Sequence, residues 1–213
     1  MGIKMVKYKL IGINLNKEEK WIEKYIEQGY HLASVNIYTG RFVFEPVTKE
    51  TDKQTIRLDY RTFKKQADFE DYVAMFEDSG WHHLAGTKGC GVQVFEKVGS
   101  DTDDSIFSDQ DSKASRYMRI SRVWLETFVC FLPILIVFHL TGIWKVSSLY
   151  DWRSWYYTPG LWERTGIDFW NAFWFETPFA VARGLGAVIF LIFVLTYAYF
   201  GLVGLYWYYK EKK

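Results

Sequence analysis

The stretch Val123–Trp144, VWLETFVCFLPILIVFHLTGIW, decides the fold, and a second stretch, Gly184–Trp207, GLGAVIFLIFVLTYAYFGLVGLYW, repeats its message. A helix takes roughly 20 residues to cross a hydrocarbon core of about 30 Å. Both runs reach that length, so two membrane-spanning helices are expected, over 123–144 and 183–209. Basic residues lie just outside them: Arg116, Arg119 and Arg122 ahead of the first run, and Lys210, Lys212 and Lys213 behind the second. Cytoplasmic flanks carry the Lys and Arg excess, and anionic headgroups attract them. The chain is therefore expected in the cell membrane with both termini cytoplasmic, its six basic flanking side chains at the lipid surface.

Whole-chain averages hide this division. The formal charge is +1, from 26 Lys and Arg against 25 Asp and Glu, which excludes the strongly basic surface of a direct nucleic-acid binder. Cys90 and Cys130 cannot build a disulfide framework. The opening residues MGIKMVKYK lack the apolar centre of a signal peptide, so the first half is expected to stay on the side where it is made.

Between the apolar runs, residues 145–182 read as an outer loop holding Trp152, Trp155, Trp162, Trp170 and Trp174. Ile167, Trp170 and Trp174 fall on one side of a helix, which predicts a short interfacial helix lying along the membrane surface. In the second run, Ala182 and Gly186 fit a small-xxx-small pair. Such a surface permits close helix approach, to the first span or to a second copy in a homo-oligomer.

Residues 1–98 contain an internal repeat at an offset of 51. Trp21, Ile22 and Tyr25 fall on Tyr72, Val73 and Phe76; Gly29-Tyr30-His31 on Gly80-Trp81-His82; Val43-Phe44-Glu45 on Val94-Phe95-Glu96. The first block has helical spacing, and each helix stops at a glycine. Two short β-branched and aromatic runs follow each helix with turn residues between them, and one strand precedes it. The prediction is an α+β domain of two tandem strand-helix-strand-strand repeats, its helices on one face of a largely antiparallel sheet. Residues 99–111 read as an acidic linker and 112–122 as a basic juxtamembrane helix capped by Ser112. The tail is 210–213.

Glu18-Glu19-Lys20-Trp21, the Gly29-Tyr30-His31-Leu32 and Gly80-Trp81 steps, and above all Ile106-Phe107-Ser108-Asp109 with Ser112-Lys113 and Tyr117 resemble the domain-of-unknown-function family numbered 2812. The likeness covers roughly residues 14 to 122. That family consists of bacterial, mainly Gram-positive, membrane proteins without an established activity. Its members are often encoded beside PadR-like transcriptional regulators, so the resemblance implies a regulatory setting and a transcriptional regulator or other protein as partner. It supplies no catalytic residues.

No residue pattern supports catalysis, a metal or a cofactor. Gly86-Thr-Lys-Gly-Cys-Gly91 lacks the Lys-Ser/Thr pair of a phosphate loop and reads as a hairpin turn. Asp101–Asp104 lacks the Gly and Glu of a calcium loop. His82 and His83 point to opposite faces of a strand and cannot share a metal. Glu45 and Glu96 read as edge charges, and Cys90 has no identifiable base. Glu126 and Arg183 read as snorkelling side chains. The function expected is therefore non-enzymatic: a membrane-anchored sensor or regulator binding a small molecule or protein through a cleft lined by Tyr30, Phe44, Trp81 and Phe95, against the alternative that these rings are core. Two further readings are an envelope-protection or transporter-accessory protein acting through the outer loop, and a membrane-associated hydrolase.

Overall fold

The computed structural model describes residues 4–47, 54–98, 105–107, 109–142 and 151–213. The chain divides into two units, residues 1–122 with 202–213 and residues 123–201.

The first unit is α+β. Its elements are β1 (Met5–Tyr8), α1 (Leu15–Ile26), β2 (Tyr30–Asn36), β3 (Arg41–Pro46), β4 (Ile56–Tyr60), α2 (Gln66–Asp78), β5 (Trp81–Ala85) and β6 (Val92–Lys97), followed by the first part of α3 (Gln110–Leu140). They form two antiparallel sheets of three strands, ordered β1-β3-β2 and β4-β6-β5, rather than one continuous sheet. β2 bulges between Leu32 and Ser34, and β5 between His83 and Ala85.

Asn14 caps α1 by accepting the Lys17 amide at 3.1 Å, which satisfies one of the orphan donors of the first turn. Gly29 and Gly80 follow α1 and α2 with φ of +84° and +82°, a left-handed stop that side chains resist. Phe42 and Phe44 of β3 pack under Trp21 and Tyr25. Beneath α2, Tyr72, Phe76, Trp81 and Phe95 form a second buried cluster, and Ile106 completes it. The segment expected to be wholly linker thus sends an apolar side chain into the core, while Asp101–Asp104 lies outside the described residues. Asp109, rather than Ser112, caps α3: its carboxylate accepts both the amide and the hydroxyl of Ser112 at 2.7 Å.

The second unit holds the rest of α3 and most of α4 (Gly166–Glu211), and each helix is long and apolar enough to cross a membrane. α3 and α4 meet through aromatic contacts, Trp124 with Phe200 at 4.9 Å and Phe131 with Phe193 at 5.4 Å between ring centroids. A Cβ on Gly201 would fall 2.5 Å from Leu125, so glycine sets that approach, whereas a Cβ on Gly186 would meet no described residue beyond its own turn of helix within 4 Å. The separate interfacial helix expected over 167–175 is instead the start of α4, which runs through Pro178 without a break. Pro178 cannot bond the carbonyl one turn back, and beside that gap the Thr177 hydroxyl donates to Phe173 O at 2.6 Å.

Candidate functional site

Leu15, Ile22 and Ile26 make the buried stripe of α1, and Glu19 falls on the same stripe. A carboxylate there is driven out of water and needs a cation. Arg116 supplies it from α3. The Arg116 side chain is 1 % exposed, and its Nη1 donates to Glu19 Oε1 and to the Leu58 carbonyl, each at 2.7 Å. Nη2 donates to Asn16 Oδ1, and the guanidinium lies 5.5 Å from the Phe107 ring centre and 5.2 Å from that of Tyr117. Nε, which has no hydrogen-bond partner among the described residues, belongs to this ring-covered plane. Glu19 also accepts the Leu58 amide at 3.0 Å.

One turn on, Arg119 donates to the Tyr60 carbonyl and to Asp59, whose other oxygen accepts the Tyr72 hydroxyl at 2.8 Å. Burial, then the neighbouring Asp59 charge, pushes the Tyr72 phenol well above its ordinary range and holds it as a donor. Together these groups occupy the outer edge of β4: Leu58 N and O and Tyr60 O all find side-chain partners where a neighbouring strand would otherwise sit.

Arg116 therefore does not meet headgroups. Its charge is spent on the interior, and Arg119 is largely spent there too; Arg122 is exposed. The C-terminal end is tied in likewise. Glu211 pairs with Lys113 at 2.7 Å and accepts the Asn16 side-chain Nδ2 at 2.8 Å. Lys212 lies 3.4 Å from Asp111, and Lys210 sits over the Trp207 ring.

A groove of about 540 Å³ opens beside this network, lined by Lys20, Glu23, Arg57, Phe107 and Lys113 above Asn16 and Glu19. Arg57 pairs with Glu23 at 2.7 Å on its wall. The arrangement can recognise charge and an apolar edge at once. The second unit holds another cleft, of about 820 Å³, lined among others by Glu163, Arg164, Asp168, Asn171 and Phe175.

The aromatic cleft expected from the sequence is corrected. Phe44 and Phe95 are fully buried and Trp81 is 2 % exposed. Phe44 packs on Tyr25 and Phe95 on Phe76, each in its own core, so these rings line no common space; Tyr30 is half-buried at the start of β2. His31 stands opposite Glu45 and His82 opposite Glu96 across neighbouring strands. Glu45 bonds Lys4 at 2.7 Å, which lowers its pKa. His83 bonds Gln93 at 3.0 Å, and burial lowers its pKa. The 86–91 segment joins β5 to β6, where Cys90 Sγ accepts the Thr87 amide and donates to Val92 O, a role in holding the turn. Arg183 does not snorkel: it donates to Glu176 at 2.8 Å and to Trp155 O at 2.7 Å, while Glu176 also accepts the Tyr157 and Thr158 amides. Among the described residues no group of three His, Cys, Asp or Glu could hold a metal ion.

Fold and site together define an α+β protein with two helices long and apolar enough to cross a membrane, and with a buried guanidinium sealing one sheet edge. Residues 14–129 match the family described as Protein of unknown function (DUF2812), and the chain belongs to that family. Every residue lining the groove falls inside the matched segment. No curated protein and no solved structure matches the chain.

Proposed function

We propose that this is a membrane-anchored, non-catalytic regulatory or sensory protein whose α+β unit binds a charged small molecule or a protein partner, a transcriptional regulator among them, on the cytoplasmic side of the cell membrane. The observation that carries the reading is the groove: Glu19 and Asn16, both of which hold Arg116, line it, so a charged group entering it acts on the partners of the side chain that fastens α3 to α1 and β4. Charged rims with one apolar edge suit recognition, and nothing in them has the nucleophile-base geometry of a hydrolase. The proposal includes two readings of architecture. The halves are tandem copies of one strand-helix-strand-strand unit, supported by their matching sheet orders, bulges and His–Glu cross-strand pairs. Both termini are cytoplasmic, supported by the basic flanks.

The test uses the full chain in detergent, with groove variants Lys20→Glu and Glu23→Lys. Capture of a partner, or a thermal shift with a cell-extract fraction, is expected from the parent chain and lost in both variants at unchanged melting temperature. Capture that ignores the groove variants would sink the reading, as would turnover of a substrate by the purified chain. A second reading, action through the outer segment, draws on the Glu176–Arg183 network that fastens residues 155–158 to α4. Replacing 151–165 by a Gly-Ser linker separates the two.

A further inference from the structure

Two short 3-10 turns, Trp152–Trp155 and Leu161–Glu163, bring three rings together in the second unit. Asp151 starts the first by accepting the Arg153 amide at 3.1 Å. Trp152 and Trp162 have centroids 5.3 Å apart with planes at 89°, Tyr156 and Trp162 5.3 Å at 73°, and Trp152 and Tyr156 6.0 Å at 80°. Three mutually steep planes make the walls of a box. Tyr156 is held from behind, stacked on Phe173 at 5.3 Å and bonded through its hydroxyl to Thr177 at 3.0 Å. Trp152 is 50 % exposed and Trp162 38 %, so the box is open to the surroundings.

A cation already sits over two of these rings. The Arg153 guanidinium lies 5.2 Å from the Trp162 ring centre and 5.9 Å from that of Trp152, and among the described residues no carboxylate pairs with it. We propose that Trp152, Tyr156 and Trp162 form a site for an organic cation of the quaternary-ammonium type, with Arg153 as its resident stand-in. The negative faces of indole and phenol attract positive charge, most strongly when the cation sheds little hydration. A tetraalkylated nitrogen fits that demand: it has no N–H donors to satisfy, and its methyl groups match the ring faces. Such a group reaches the site as a lipid headgroup or as a free solute.

The test is fluorine NMR of the full chain carrying 5-fluorotryptophan in maltoside micelles, with resonances assigned by Trp152→Phe and Trp162→Phe. Titration with tetramethylammonium chloride, against sodium chloride at equal ionic strength, is expected to move those two signals saturably. Arg153→Gln removes the competitor and should tighten the midpoint by about 2- to 5-fold, while Trp162→Phe weakens it. Nanodiscs of phosphatidylcholine that shift the signals without added cation, when phosphatidylglycerol discs do not, identify the headgroup as the source; a response to the free cation alone identifies a solute. No saturable shift in either the parent chain or Arg153→Gln overturns the proposal, and so does weaker binding in Arg153→Gln.

Discussion

Replacing Arg116 by Met tests the network that holds α3 to α1 and β4. The substitution keeps an unbranched apolar stem, removes the guanidinium, and with it three donated hydrogen bonds, to Glu19, Leu58 O and Asn16. Glu19 then stays buried with the Leu58 amide as its remaining partner from this set. Hydrogen bonds to charged groups contribute about 1.5–3 kcal/mol each, part of which methionine recovers by packing. Stranding one member of a buried ion pair costs about 3–5 kcal/mol, and that figure governs here because Arg116 is 1 % exposed. For a unit of this size the loss lowers the melting temperature by about 10–20 °C. The assay is denaturation of the full chain in maltoside micelles, followed by tryptophan fluorescence. Glu19→Leu alone should cost a similar amount, and the double variant should recover to within about 1–3 kcal/mol of the parent, since no charge is then stranded. A melting temperature for Arg116→Met within a degree or two of the parent, or single losses that simply add in the double variant, would refute the reasoning.

Other perturbations read other parts of the molecule. A fragment of residues 1–98 lacks Ile106, Arg116 and Arg119, so it should aggregate where 1–122 stays soluble; size-exclusion chromatography compares them, and a monomeric, cooperative 1–98 would contradict the sealed-edge account. Burial depresses the pKa of His83, so its contribution is complete above the unfolded value of about 6.5 and is lost as pH falls through the lower folded value. Urea midpoints between pH 8 and 5 should fall more in the parent than in His83→Gln, and equal slopes would remove His83 from the account. Glu176→Gln should speed hydrogen exchange at the Tyr157 and Thr158 amides by about 10-fold without altering α4, because two charge-assisted bonds are weakened. Alkaline-phosphatase fusions after Ser100 or Lys213 should be inactive and one near Pro159 active; the reverse pattern would overturn the proposed topology.

Periodicity made the helices and strands of the α+β unit legible, since a side chain at spacing i, i+1, i+4 or i, i+2 declares its face locally. The glycine stops and the two apolar runs were legible for the same reason. Arg116 was not, because its partner is 97 residues away and nothing adjacent distinguishes it from Arg122. A signal did exist on the other side: Glu19 occupies a position of the Leu15, Ile22, Ile26 stripe, and a carboxylate on a buried stripe asks for a cation. The aromatic residues misled because repeat-equivalent rings fit a cleft and a core equally well; burial decides between them, and it depends on how α1 and α2 cover β3 and β6. The outer loop expected over 145–182 misled in the opposite direction, because α4 already starts inside it at Gly166.

The sealing of β4 also sets a timetable for biogenesis. Tyr60 leaves the ribosome 59 residues before Arg119, the side chain that closes its carbonyl. At about 5–20 residues per second the open strand therefore waits about 3–12 s. Throughout that interval the nascent chain offers an unpaired edge to any neighbouring strand on the same polysome. Release from the hazard comes with α3 itself, so the helix that seals the edge of the α+β unit is also the first of the two that are long and apolar enough to cross a membrane.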